Sequence, residues 1–104
     1  MDVFNIKRGS TLPKLRCEIV DEDGERYEID NAVSVTFRMY DDDSNLLIEN
    51  PAEMPNDFTL QYSWADGETD LPDGIYYGEF EIVLDTGEKL ILPTNGWISI
   101  VIRE

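Results

Sequence analysis

The stretch that decides the fold runs from residue 33 to residue 39 and reads Val33-Ser34-Val35-Thr36-Phe37-Arg38-Met39. Apolar side chains occupy every second position, and polar or charged side chains fill the positions between them. Successive side chains of a β-strand point to opposite faces, so this alternation is typical of a strand with one buried and one solvated face. The segment is therefore predicted to belong to a sheet that covers a hydrophobic core.

The same period of two recurs along most of the chain. Its apolar members in three further segments are Phe58, Leu60, Tyr62 and Trp64; Tyr76, Phe80, Ile82 and Leu84, with Gly78 on the same face; and Ile98, Ile100 and Ile102. Shorter candidate strands cover residues 3–7, 15–20, 26–29, 46–49 and 89–92. About eight short strands with no amphipathic helix predict an all-β protein, a single immunoglobulin-like antiparallel β-sandwich over residues 1–104.

Turn residues separate the candidate strands. Gly24 and Gly87 each stand where a short hairpin requires a positive φ angle. All five prolines are predicted to lie between strands, and the segment 50–57, which holds two of them, is predicted to be a loop. The sequence Gly74-Ile75-Tyr76 resembles the tyrosine corner of immunoglobulin-like sandwiches, so the Tyr76 hydroxyl is expected to bond to the backbone of the loop 66–72.

The charge of the chain excludes several classes of function. It has 104 residues, 23 acidic and 8 basic, and a formal net charge of −15. Such a protein is repelled by phosphate backbones and anionic lipids, so we expect no nucleic-acid and no membrane partner. The chain has no histidine, which rules out serine–histidine chemistry and any metal site built on imidazole.

The remaining chemistry-bearing residues favour a protein that is not an enzyme and has no cofactor. Asp41, Asp43 and Asn45 are spaced like the start of a calcium loop, but Leu46 and Ala52 stand where such a loop needs glycine and glutamate. We expect a solvated turn there and no metal. Cys17 aligns with the apolar side chains of its segment and is predicted to be a buried core thiol, typical of a reducing compartment. The first residues lack the pattern of a secretory signal, so synthesis in the cytoplasm is expected.

Two groups of residues are candidates for docking a partner. Trp97 and Val101 lie on the second face of the last strand, where an apolar residue is left over once Ile98, Ile100 and Ile102 fill the core. Lys7, Arg8, Lys14 and Arg16 concentrate half of the cations of the chain near its start. These residues are either ordinarily solvated or a docking patch for an acidic partner or a second copy. Trp97 and Tyr77 are also placed to stack on a sugar ring.

The order of the short motifs resembles a family of small tailed-bacteriophage structural domains, similar to the N-terminal domain of the siphophage baseplate upper protein. The resemblance rests on Phe4-x-Ile6-Lys7-Arg8-Gly9-Ser10, Asp21-x-Asp23-Gly24, Asn31-Ala32-Val33-Ser34-Val35-x-Phe37-x-Met39 and Asp73-Gly74-x-Tyr76-x-x-Glu79-Phe80-Glu81. Ser10 replaces the aspartate usual in the family, and Asn31 stands where glycine is frequent. The resemblance implies a non-catalytic β-sandwich that is made in the host cytoplasm and assembles in a virion, in the tail, baseplate or head–tail region.

The sequence thus favours a phage structural or assembly protein that docks on other virion proteins or on further copies of itself, with rings as the expected homo-oligomer. A carbohydrate-binding adhesion module that uses its exposed aromatics is the alternative. A decoy that mimics DNA is a third hypothesis, but the acids cluster in turns and are not spaced like phosphates.

Overall fold

A computed structural model describes residues 3–94 and 96–104. In this part of the chain all regular structure is β, in nine strands. Their bounds are β1 Val3–Lys7, β2 Leu15–Glu18, β3 Ala32–Tyr40, β4 Leu46–Pro51, β5 Glu53–Asn56, β6 Thr59–Tyr62, β7 Gly74–Leu84, β8 Lys89–Leu92 and β9 Ile98–Arg103. No helix in the described residues is long and apolar enough to cross a membrane.

The strands form two sheets packed face to face. The large sheet has the order β1-β9-β7-β3-β4, with β8 also paired to β7, and the small sheet has the order β2-β6-β5. This arrangement follows the immunoglobulin plan, in which the second, fifth and fourth strands oppose a sheet built around the third, sixth and seventh. The predicted fold class is confirmed. The sheets are antiparallel except for β1, which runs parallel to β9.

Aromatic rings fill the space between the sheets. The Phe37 ring centroid lies 4.4 Å from that of Tyr62 and 5.2 Å from that of Phe80, and Trp64 meets Phe37 edge-on. Gly78 is required beside them, because a Cβ at this position would lie 2.8 Å from Ile100 Cδ1. Apolar side chains from both sheets and from the chain between β2 and β3 complete the core: Ile6, Leu15, Ile19, Ile29, Val35, Met39, Ile48, Leu60, Ile82, Ile98, Ile100 and Ile102.

The predicted turns are present. Gly24 and Gly87 have φ angles of 79° and 87°. Tyr76 is buried, and its hydroxyl donates a hydrogen bond of 2.7 Å to the Pro72 carbonyl oxygen. Both the hairpin glycines and the tyrosine corner are therefore confirmed.

Two predictions about the edges of the sheets are wrong. The segment 50–57 is not a loop, because β4 extends through Pro51 and β5 includes Pro55. Both strands lie at the ends of their sheets, where a proline without an N–H group breaks no ladder. Residues 26–29 are not a strand and contribute only a single bridge between Val20 and Arg26.

Two predictions about burial also need correction. Val33 is 64% exposed, because the register of β3 against β7 shifts between Ala32 and Ser34 and places Val33 off the buried face. Cys17 is only half-buried, although its neighbours Leu15 and Ile19 are in the core. It lies at the side of the sandwich where β2 has no further strand beside it in the described chain.

Candidate functional site

The outer face of the large sheet, meaning the side chains of β1, β9, β7 and β3 that point away from the core, carries an exposed apolar strip. Strand pairing aligns Asn5, Val101 and Ile75 in one row across three strands. The next row aligns Val3, Ser99, Tyr77 and Tyr40. Val3 and Ile75 are more than half exposed. Exposed apolar patches of this kind often mark the surface on which a protein binds a partner.

An aromatic cleft, lined by Tyr40, Tyr77 and Trp97, lies at the end of this strip. The cleft measures about 400 Å³, and the turn residues Asp41, Asp42 and Ser44 complete its lining. Trp97 is 41% exposed and packs edge-on against Tyr40, with ring centroids 5.3 Å apart and ring planes at 63°. The cleft therefore presents π-faces and carboxylates together.

The acidic turn beside the cleft is held by its own hydrogen bonds. Asp41 Oδ1 accepts from the backbone N–H groups of Asp43 and Asn45, both at 2.9 Å, and Asp41 Oδ2 accepts from Asn45 Nδ2 at 3.0 Å. These bonds to Asn45 lower the pKa of the Asp41 carboxyl. Oxygens of Asp41, Asp42 and Asp43 lie within 4.8 Å of one another. The turn therefore holds three carboxylates close together at the edge of the aromatic cleft.

An ion-pair cluster around Arg38 covers the outer face next to the cleft. Arg38 Nε lies 2.7 Å from Glu49 Oε2, Nη2 lies 3.0 Å from Glu81 Oε1, and Nη1 lies 3.6 Å from Glu79 Oε2. Hydrogen bonds to Glu49 and Glu81 raise the pKa of the Arg38 guanidinium. The cluster joins β4, β3 and β7, and none of its four residues lines the cleft.

Tyr40 links the ion-pair cluster to the cleft. Its hydroxyl donates to Glu79 Oε2 over 3.4 Å. Burial, followed by the nearby Glu79 carboxylate, raises the pKa of the phenol, so Tyr40 stays neutral at physiological pH. The Tyr40 hydroxyl is thus hydrogen-bonded to Glu79, while its aromatic ring lines the cleft.

The structure separates the predicted docking residues into groups. Trp97 and Val101 share the outer face, together with Lys7, which points outward at the end of β1. Lys14 and Arg16 lie instead beside the small sheet, where they line a shallow depression with Leu12 and Pro13. The six residues therefore do not form one continuous patch.

Two of the predicted cations are engaged within the chain. Arg8 Nε lies 2.9 Å from Asp70 Oδ1, and its Nη1 lies 3.4 Å from Glu104 Oε1. The hydrogen bond to Asp70 raises the pKa of Arg8. Arg16 donates from Nε and Nη2 to the side-chain oxygen of Gln61. Because these guanidinium groups already bind side chains of the same chain, they are less available to bind an acidic protein.

The sequence analysis missed Tyr40, Ile75 and Val3 as members of the exposed surface. Their place depends on strand register, since Tyr40 meets Tyr77 and Ile75 meets Val101 only through pairings between distant segments. The only local signal was the presence of apolar residues at positions that the period of two assigns to the solvated face.

The fold is similar to that of a solved structure. The structure resembles the crystal structure of CopC from Methylosinus trichosporium OB3b, with a TM-score of 0.55 and 10% sequence identity over 99% of this chain and 85% of that chain. At this identity the likeness shows the β-sandwich fold alone. Neither the protein-family models nor the curated protein sequences give a match.

Proposed function

We propose that this protein is a non-enzymatic virion assembly protein that docks on another virion protein through the outer face of its large sheet. The observation that carries the proposal is the group of apolar side chains on this face, with Val3, Ile75 and Trp97 exposed and Trp97 in the aromatic cleft. Docking interfaces are enriched in such aromatic anchors surrounded by aliphatic side chains. A place in a phage tail, baseplate or head–tail region, after synthesis in the host cytoplasm, rests on the resemblance of the sequence motifs.

The negative charge around the cleft favours a partner that carries positive charge. Asp41 and Asp42 line the cleft, and no lysine or arginine does so among the described residues. Aromatic faces attract a cation through their quadrupole, and the carboxylates add a Coulombic contribution. The partner is therefore a virion protein that presents a lysine or arginine to the cleft.

A different protein fits this description better than a second copy of the same chain. Identical chains with a net charge of −15 repel one another, and three of the eight basic residues, Arg8, Arg16 and Arg38, are held by internal partners. Assembly into a ring of identical chains is therefore the second outcome that the experiments below distinguish.

A carbohydrate-binding adhesion module is the second candidate function. The combination of Trp97 and Tyr77 with two carboxylates in one cleft supports it, since sugar rings stack on aromatics and their hydroxyls donate to carboxylates. The ring of Trp97 does not form a flat surface with that of its neighbour Tyr40, because the two planes meet at 63°.

Co-expression with the proteins encoded by the neighbouring genes tests the proposal. We expect a complex of two different proteins by size exclusion with light scattering, and its loss in Trp97→Asp. Leu12→Asp, which adds the same charge beside the small sheet, is the matched control and should leave the complex intact. A strictly monomeric chain that binds none of these proteins but retains oligosaccharides on a glycan array through Trp97 would favour the adhesion module.

A further inference from the structure

Strand β8 is a short edge strand of the large sheet. Strand β7 is paired along one side with β9 over residues 74–78 and with β8 over residues 80–83. β1 covers the far side of β9, from Val3 against Ser99 to Lys7 against Arg103. Among residues 3–94 and 96–104, no strand covers the far side of β8.

The phase of the β7–β8 ladder fixes which backbone groups of β8 point outward. The hydrogen bond of 2.9 Å from Leu84 N–H to the Glu88 carbonyl oxygen marks a hydrogen-bonded pair. Such pairs alternate in an antiparallel ladder, so Ile82 with Leu90 and Phe80 with Leu92 are also hydrogen-bonded pairs. The N–H and C=O groups of Lys89 and Ile91 therefore point away from β7, toward the uncovered side.

An apolar cleft lies beneath this edge, between the two sheets. It measures about 540 Å³, within the range of ~300–1,000 Å³ typical of ligand pockets. Leu90 and Leu92 of β8 line it and are only half-buried, although they point toward the core. Leu60, Phe80 and Ile98 line it from the core. Cys17 of β2 and Ile19, which follows β2, line its other side.

The charged residues that line this cleft are all acidic. Glu18, Asp21 and Glu22 contribute to its lining, whereas no lysine or arginine does so in the described part of the chain. Arg26 Nε lies 3.7 Å from Glu18 Oε1. Asp21 and Glu22 form no ion pair within the described residues. The cleft thus combines an apolar interior with a negative rim.

We propose that an extended segment of a protein partner adds to the sheet along β8 and fills this cleft. Such a strand bonds to the outward backbone groups of Lys89 and Ile91 and continues the line that β1 begins beside β9. Because side chains alternate along a strand, the segment is apolar at every second residue, and it carries lysine or arginine for Glu18, Asp21 and Glu22.

The free side of β2 is a poorer acceptor for the same segment. The chain beyond β2 is already bonded to residues 25–27, through Tyr27 N–H to the Ile19 carbonyl oxygen at 2.9 Å and Asp21 N–H to the Glu25 carbonyl oxygen at 2.8 Å. Beside the cleft, the edge of β8 is therefore more open than that of β2. This site is separate from the aromatic cleft, and its test does not depend on the docking proposal above.

A synthetic peptide tests strand addition directly. The probe has nine residues in which isoleucine alternates with threonine and lysine, and its affinity is measured by calorimetry. Ile91→Pro removes the outward N–H group without touching a β7 bond, and Ile91→Ala is the matched control that keeps the group. We expect Ile91→Pro to weaken binding about tenfold and Ile91→Ala to leave it nearly unchanged. The wild-type protein should bind a peptide with glutamate in place of lysine more weakly than it binds the lysine peptide.

Hydrogen exchange of the wild-type protein keeps the test valid if Ile91→Pro does not fold. The bound peptide should slow exchange at the amides of Lys89 and Ile91. Equal affinity for both Ile91 variants, protection confined to the outer-face residues, or a folded wild-type protein that does not bind the lysine peptide would each overturn strand addition at β8.

Discussion

At the scale of single residues, two tyrosine hydroxyls fix loops to the core. Tyr76 donates to the Pro72 carbonyl oxygen at 2.7 Å, which holds the loop that precedes its own strand. Tyr62 donates to Glu68 Oε1 at 2.7 Å, and Asn50 Nδ2 donates both to the Tyr62 oxygen and to Glu68 Oε2. In each case a local turn depends on one phenol that is anchored in the sandwich.

Tyr76→Phe should lower the free energy of unfolding by about 1–3 kcal/mol, because the Pro72 carbonyl loses its donor in a partly buried place. Urea denaturation measures the change. Tyr27→Phe is the control, since the Tyr27 ring is 51% exposed, and it should have little effect. Equal stability of wild type and Tyr76→Phe would contradict the role of the tyrosine corner.

The Tyr62 phenol predicts a loss of stability at alkaline pH. Burial, followed by Glu68, raises its pKa from 10.0 to about 12. Between these values the unfolded chain releases the proton while the folded chain keeps it, so the free energy of unfolding falls as pH rises. Relative to Tyr62→Phe, the wild type should lose up to ~1.4 kcal/mol per pH unit above pH 10. Parallel stability curves for the two proteins would show that Tyr62 is not responsible.

At the scale of elements, tight turns connect the strands that carry the site. Leu84 N–H bonds to the Glu88 carbonyl oxygen, and Gly87 N–H bonds back to the Leu84 carbonyl oxygen at 2.9 Å, which closes the hairpin between β7 and β8. Gly87 takes the left-handed conformation that this closure requires.

Gly87→Val should therefore cost about 1–3 kcal/mol, since a β-branched residue is strained at this φ angle. Gly87→Asn is the matched control, because asparagine tolerates the left-handed region, and it should cost less. Thermal unfolding of the three proteins gives the ranking. Equal midpoints for valine and asparagine would be inconsistent with backbone strain at this hairpin.

The success of the sequence analysis also differs from element to element. The central strands were predictable because Phe37, Phe80 and Ile100 belong to long alternations whose buried face is dictated locally. The edge strand β5 was not, since its pairing with β6 comes from outside the segment and the edge tolerates Pro55. Trp97 was predicted as a docking residue from its own strand, whereas the position of its neighbour Tyr40 depends on long-range register.

At the scale of the whole molecule, the acidic turn Asp41–Asp43 lies beside the exposed apolar and aromatic side chains of the outer face. The turn Asp41–Asp43 is closed by hydrogen bonds to Asp41 from the Asp43 and Asn45 backbone and the Asn45 side chain. Because these bonds already satisfy the turn, the protein is expected to fold without a metal ion, and the acidic groups are free to attract a basic partner.

Calcium should accordingly leave the thermal unfolding midpoint unchanged. Scanning calorimetry in chelator and in millimolar calcium measures this, with Asp43→Asn as the matched variant. A rise of several degrees in the wild type that Asp43→Asn removes would reveal a calcium site in the turn.

Site-specific photo-cross-linking in assembled particles tests the central claim, docking of a basic virion protein on the outer face, most directly. A photoreactive amino acid replaces Ile75 in the strip or, as the control, the exposed Leu12 beside the small sheet. We expect a cross-link from position 75 to a lysine- or arginine-containing peptide of a different virion protein, identified by mass spectrometry, and none from position 12. Cross-links from position 12 alone, or from position 75 only to further copies of this chain, would contradict it.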